Sequence, residues 1–316
     1  MTAAVTFDSA TALLGRLPAA RGDLRPFVPL AAGSWLGVGG PAEVLFRPAD
    51  ASDLADFLAA RPADVPVTII GATSNLLVRD GGVPGVVVRL GPSFGGISIR
   101  DNRVVAGAGA FVSMIARRAL EASVGAMEFL GGIPGTLGGA IRMNAGAHGH
   151  ELCEVLREVT ALDSTGTTHV WTVADLKFGY RSCGAPEDTI FISAVLEGQA
   201  ARAADIQARM EADRLHREAV QPVRIKTAGS TFRNPPEGPR AWELIDRAGC
   251  RGLRVGGAKM HEVHCNFMVN TGAATASDLE TLGETVRTRV RTTSGVDLVW
   301  EVRRIGLPPV TEGETA

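Results

Sequence analysis

The sequence predicts an α+β protein in three parts, and three observations carry that reading. The chain has 316 residues, more than one hydrophobic core usually organises. Strand-like and amphipathic helical runs follow one another without the strict βαβ alternation of a doubly wound parallel sheet. Glycine occurs 38 times, well above a usual share of roughly 7%. The glycines cluster, which marks backbone shaped to lie against a ligand.

The first part covers residues 1–96. A short helix is expected over 9–18. "AEVLFRP" (42–48) is a strand that stops at Pro48. "ASDLADFLAA" (51–60) is an amphipathic helix with Asp50 placed as its N-cap. "VPVTIIGATSNLLV" (65–78) reads as strand, loop, strand, and "GVVVRL" (85–90) as a buried strand.

The second part, 97–200, is strand-rich: "ISI" (97–99), "RVVAGA" (103–108), "EVTALD" (158–163), "THVWTV" (168–173) and "TIFISAVLEG" (189–198). One helix, "FVSMIARRALEAS" (111–123), interrupts them, and another short one is expected just before Tyr180. "EFLGGIPGTLGGAIRMNAGAHGHE" (128–151) carries seven glycines and reads as an extended ligand cradle.

The third part, 201–306, begins with the charged helix 201–220, which joins it to the second. A helix over 240–249 follows, then one opened by a capping box, Ser277-x-x-Glu280. "DLVWEVRRIG" (297–306) reads as a strand, and 307–316 as a flexible tail.

Composition excludes several function classes. Lys+Arg is 32 and Asp+Glu 34, a net charge of -2, which gives no electrostatic case for nucleic acid or an anionic membrane. No apolar run approaches the roughly 18 residues of a membrane span. "MTAAVTFDSATALLGRL" puts no basic stretch before its apolar residues, so no secretory leader is expected. The four cysteines are then expected as reduced thiols in the cytoplasm.

Several motifs compete for attention. "VVAGAGAFVSM" (104–114) offers Gly107-x-Gly109 before a helix, but Val112 stands where a Rossmann fingerprint needs its third glycine. "GATSNLLVRDGG" (71–82) is better placed: consecutive N–H groups with Thr73, Ser74 and Asn75 can make a nest for a pyrophosphate, and a plain tight turn is the competing reading. "GGIPGTLGGA" (131–140) adds a second glycine surface, which suggests a ligand longer than a mononucleotide, with two structural turns as the competing reading. "HGHE" (148–151) and "HEVHC" (261–265) lack a zinc-ligand spacing with a partner pair, so no metal is expected. No GxSxG elbow surrounds Ser230. Arg181, beside the only tyrosine, Tyr180, is a candidate carboxylate clamp. Glu301 lies in an apolar strand and matters only if a site lies opposite it.

Seven segments, in order from about residue 34 to 306, carry a resemblance: "GVGGPAEVLFRP", "GATSNLLVRDGG", "EFLGGIPGTLGGAIRMNAGAHG", "GYRSC", "AGSTFRNPP", "GLRVGGAKMHEVHCNFMVN" and "EVRRIG". Together they resemble the UDP-N-acetylenolpyruvoylglucosamine reductase family. The resemblance implies a two-part FAD-binding unit of the vanillyl-alcohol-oxidase-like type plus a C-terminal α+β substrate domain. It implies non-covalent FAD, with NADPH as reductant and a UDP-sugar carrying an enolpyruvyl ether as substrate. Arg181, Ser230 and Glu301 match the catalytic positions. Gly71, Ala72, Thr73, Ser74, Asn75 and Leu76 match one cofactor segment, and Gly131, Ile133, Pro134, Gly135, Gly138 and Gly139 another, followed by Asn144, Ala145 and Gly146. Tyr180, Lys226, Asn234 and His264 are expected near substrate. Only about ten residues separate Arg181 from the next strand and no second tyrosine exists, so the chain resembles the shorter form of the family, without the tyrosine loop. A monomer is expected. The alternative is another flavin oxidoreductase of the same superfamily, a sugar or alcohol oxidase.

Overall fold

The computed structural model describes residues 4–222 and 225–309. A four-stranded sheet organises the first part, in the order Asp23–Pro29, Pro41–Arg47, Val83–Arg89, Val67–Ile70. Only the first pair is antiparallel. Both faces are covered. Val86 and Val88 meet Leu54, Phe57 and Leu58 of the helix Ala51–Ala60, while Val87 joins Leu30, Leu45 and Ile70 on the other side. A strand buried on both faces has no polar alternation, which is why "VVV" reads as a continuous apolar run.

The Asp50 carboxylate accepts from the Asp53 N–H at 2.9 Å, as an N-cap should. The first helix is Phe7–Leu14 rather than 9–18. Thr6 Oγ1 takes the Ser9 N–H at 3.1 Å and starts it early, and Gly15 ends it. The strand Asp23–Pro29 was hidden from sequence by Pro26 and Pro29. It lies at the sheet edge, where a missing N–H is tolerated.

The second part is a five-stranded antiparallel sheet, in the order Thr168–Thr172, Leu156–Leu162, Ile190–Glu197, Arg103–Gly107, Ile97–Arg100. The helix Val112–Glu121 buries Val112, Ile115, Ala116 and Ala119, one face at helical spacing. The segment 128–151 is not extended throughout. It holds a 3₁₀ turn at Glu128–Gly132 and a helix at Leu137–Arg142. Gly138 lets that helix come close enough for its N–H to reach Ala108 O at 2.8 Å. The short helix expected before Tyr180 is a set of turns. Asp175 takes both the N–H and the hydroxyl of Thr172, a local bond that competes with helix. The helix Ala203–Val220 packs on this second core through Met210.

In the third part the helices Ala241–Arg247 and Ala276–Ser294 enclose a core with the strands Ala258–Met260 and Met268–Asn270. The long helix does not use the expected capping box. Its N-cap is Thr275, whose hydroxyl accepts from Asp278 N while Asp278 accepts from Thr275 N. Glu280 is engaged elsewhere, by Arg79 and Arg304. Asp80 of the first part caps the same helix, accepting from Ala276 N and Ser277 N at 2.9 Å each.

The expected strand 297–306 is regular only at Arg303–Ile305, which pairs in parallel with Leu76–Val78. Ahead of it the chain turns aside to meet residues 231–233. Most of the expected tail, 310–316, lies outside the described residues. Among the described residues no helix is long and apolar enough to cross a membrane.

Candidate active site

The two glycine segments meet. Ser74 Oγ donates to Pro134 O at 3.2 Å across a separation of 60 residues. A Cβ on Gly71 would stand 2.4 Å from Thr136 Oγ1, and one on Gly135 would stand 2.5 Å from Ser74 Oγ. Gly135 also has φ +106°. At both positions a side chain would drive the segments apart.

A cavity of about 560 Å³ opens beside this junction. Gly71 to Leu76 line it, with Pro134, Gly135, Gly138, Gly139 and Ala145 opposite. Among the described residues the N–H groups of Ala72, Thr73 and Ser74 have no acceptor, and Thr73 is left-handed, φ +55°. Consecutive free amides in such a turn suit an anion. Arg142 fixes another wall by donating to the carbonyls of Ala185, Pro186 and Thr189. The wall therefore offers unpaired donors beside backbone too close for side chains, and it fits a dinucleotide with a pyrophosphate.

Not every expected cofactor residue lies on this wall. Gly131 and Ile133 line a separate cavity of about 300 Å³ with Trp35, Phe111 and Arg217, and Pro134 and Gly135 border both. Asn144 is buried, and its amide bonds Glu151, Gly179 O and Cys153 N. Gly146 presents its carbonyl to Arg181.

The second feature is a corner of side chains. Arg181 sits at the apex of a tight turn, φ +52°, closed by paired bonds between Gly179 and Ser182. Its Nε donates to Glu301 Oε1 at 2.9 Å, with the two side chains 20% and 15% exposed. Its guanidinium also lies 5.0 Å over the Tyr180 ring. Burial pushes the Glu301 carboxyl above the usual glutamate range, against the opposing pull of Arg181 and Arg233.

Glu301 N donates to Thr231 O at 2.8 Å, so the loop carrying half-buried Ser230 lies directly beside the ion pair. No hydrogen-bond partner of Ser230 Oγ occurs among the described residues, and Gly229 before it is left-handed, φ +74°. The Gly71–Leu76 loop reaches the same corner: Asn75 Nδ2 donates to Glu301 O at 3.1 Å.

The four residues expected near substrate are placed differently from one another. Tyr180 is exposed and stacks on Arg181. Lys226 is exposed beside the Ser230 loop. Asn234 Oδ1 accepts from Ala241 N at 3.1 Å and so holds the start of the helix Ala241–Arg247. His264 packs against Phe267, and burial lowers its pKa.

Two residues of the corner escaped the sequence reading. Arg233 donates to Arg181 O at 3.3 Å, while its Nε is buried with no partner among the described residues. Asn266, 3% exposed, bonds both backbone groups of Phe232. Arg233 was visible inside "STFRNPP"; nothing in "HCNFMVN" separates Asn266 from an ordinary loop amide.

Comparison with known proteins bears on this geometry. A family model described as the C-terminal domain of UDP-N-acetylenolpyruvoylglucosamine reductase matches residues 221–305, and one described as an FAD binding domain matches residues 42–172. UDP-N-acetylenolpyruvoylglucosamine reductase of Parvibaculum lavamentivorans is 57% identical over 300 residues, 95% of this chain and 96% of the relative. That of Rhodospirillum rubrum is 57% identical over 307 residues, 96% of each chain. The crystal structure of the Thermus caldophilus enzyme superposes with a TM-score of 0.78 at 34% identity, covering 91% of this chain and all of that one.

Proposed function

The chain belongs to the UDP-N-acetylenolpyruvoylglucosamine reductase family, an FAD-dependent oxidoreductase family, and from that premise we infer how its residues divide the work. The reaction is reduction of the enolpyruvyl group of UDP-N-acetylglucosamine-enolpyruvate to UDP-N-acetylmuramate, a step of peptidoglycan precursor synthesis. The observation that carries the reading is the shielded Arg181–Glu301 pair held against the Ser230 loop.

The Gly71–Leu76 and Pro134–Gly139 segments would hold FAD, which when bound would supply a hydride, drawn from NADPH, for the terminal vinylic carbon of the substrate. The electron pair of the double bond then moves onto the carbon bearing the ether oxygen and into its carboxylate. Arg181, a fixed charge in a shielded site, stabilises that developing enolate, a contribution of roughly 10²–10³ in rate for one such donor. Glu301 orients Arg181 through its Oε1, and the burial that pushes its carboxyl upward favours the form able to donate a hydrogen bond to the substrate carboxylate.

Ser230 Oγ gives its proton to the carbanion-like carbon and is reprotonated from solvent. A serine hydroxyl is a very weak acid, but an enolate carbon is a strong enough base to take its proton, so no histidine is needed. Tyr180, Lys226 and His264 border the substrate in this reading. The same proposal has the enzyme working as a monomer in the cytoplasm, with the chain divided at 1–96, 97–200 and 201–306.

The test is anaerobic. NADPH added to the flavin-loaded protein should bleach the flavin band, and the enolpyruvyl UDP-sugar added afterwards should restore it. A band that stays bleached after that addition overturns the reading.

A further inference from the structure

We propose that Asn266 is a positioning residue that sets Ser230 and Glu301 relative to each other, an inference that rests on the roles given to those two residues above. Asn266 binds the Thr231–Phe232 backbone at three points. Its carbonyl accepts from Thr231 N at 2.7 Å. Its side-chain Oδ1 accepts from Phe232 N at 3.0 Å, and its Nδ2 donates to Phe232 O at 2.8 Å. The opposite edge of the same segment holds the carboxylate strand: Thr231 O accepts from Glu301 N, and Arg233 N donates to Val299 O, both at 2.8 Å.

Residues 231–233 thus act as a strip bound on one edge by a single amide side chain and on the other by the backbone around Glu301. Ser230 is the residue immediately before the strip. Phe232 and Thr231 are fully buried, so water cannot replace the amide's bonds. A buried backbone pair left unmatched shifts until it finds a partner. Here the shift would move the proton donor against the carboxylate. Displacement of about 1 Å in such a constellation costs on the order of 10²-fold in rate.

The chemistry of the side chain supplies a test that a purely structural role would not pass. An amide presents one acceptor and one donor to Phe232. An aspartate of the same shape does so only when protonated. The titratable and charged groups facing this point are His264, whose Nδ1 lies 3.4 Å from Asn266 N, Cys265 beside it, and Arg233 and Glu301 across the strip. These groups are common to parent and variants, so each variant is compared with the parent at the same pH.

The experiment uses flavin-loaded Asn266→Asp and Asn266→Ala proteins in stopped flow from pH 5.5 to 8.5. NADPH should bleach both at the parent rate. Reoxidation by the enolpyruvyl UDP-sugar should be slowed roughly 10- to 100-fold in Asn266→Ala. In Asn266→Asp it should approach the parent rate at pH 5.5 and fall away from it as pH rises. If Asn266→Ala does not fold, the pH trend of Asn266→Asp decides alone.

Reoxidation within about twofold of the parent at every pH overturns the proposal, as does equal slowing of both half-reactions. Ser230→Ala, run alongside, separates the two layers of inference. If that variant reoxidises normally, the assignment of the proton donor has failed. If it is slow while the Asn266 variants are normal, only the positioning role has failed.

Discussion

The glycine-lined cleft and the Arg181–Glu301 corner, the proposed cofactor and catalytic sites, are built on opposite principles. The cleft is mostly backbone: amides of Ala72 to Ser74, and glycines that let two segments touch. The corner is mostly side chains drawn from three distant parts of the chain, Arg181, Ser230 and Glu301, held by Asn75 and Asn266. Backbone sites tolerate many side-chain changes and fail when a Cβ appears. Side-chain sites fail when a single functional group is removed. Cleft substitutions should therefore change how much flavin is held, and corner substitutions how fast held flavin is reoxidised.

The sharpest break in that comparison should come from Ser230→Ala. Flavin content and bleaching by NADPH should stay at parent values, while substrate-driven reoxidation falls on the order of 10²–10⁴-fold, the range for loss of a proton-transferring group. Loss of flavin instead would join the two regions into one. Arg181→Met comes next, with a fall of roughly 10²–10³ in kcat and unaltered flavin content, read by steady-state kinetics on protein of known flavin stoichiometry.

The cleft is tested by Gly71→Ala. Its Cβ meets Thr136 Oγ1, and overpacking of about 1–3 kcal/mol should weaken FAD binding several-fold to a hundredfold in a flavin titration. Thr136→Ala in the same protein removes the clashing oxygen and should recover most of the loss. No recovery would mean that the two segments are not in contact.

The smallest effect expected is a pH trend in Glu301→Gln. A carboxyl pushed upward by burial favours the folded state below its unfolded value of about 4.3, and that contribution is lost as pH rises through the folded value. Glutamine has no such loss. The difference in Tm, variant minus parent, should therefore drift upward from about pH 4 to pH 7. A drift in the other direction would make the Arg181 pair stronger than burial.

How far sequence reading reached follows the same division. Gly71, Gly135 and the free amides announced themselves as composition, because only glycine permits such close approach. Arg181 stood out beside the only tyrosine, but its link to Ser230 and Glu301 as a proposed catalytic trio came through the ordered resemblance, since Arg181 and Glu301 are 120 residues apart. Asn266 stayed hidden because its role depends on a strip 34 residues away. The helix start at Thr275 was misread for a related reason: Asp80, in another part of the chain, helps decide where that helix begins. Local propensity proposes a cap, and tertiary contacts choose it.

Asn75 gives the cofactor loop a history in time as well as a place. Its side chain donates to Glu301 O, 226 residues later, its carbonyl accepts from Arg303 N, and Leu76–Val78 pairs with Arg303–Ile305. During synthesis the loop leaves the ribosome long before those partners exist. Contacts of such long sequence separation form late. The Gly71–Leu76 loop, the proposed pyrophosphate cradle, therefore reaches its final shape only after the segment carrying Glu301 has docked, so firm retention of the flavin would signal that the proposed catalytic corner is already assembled.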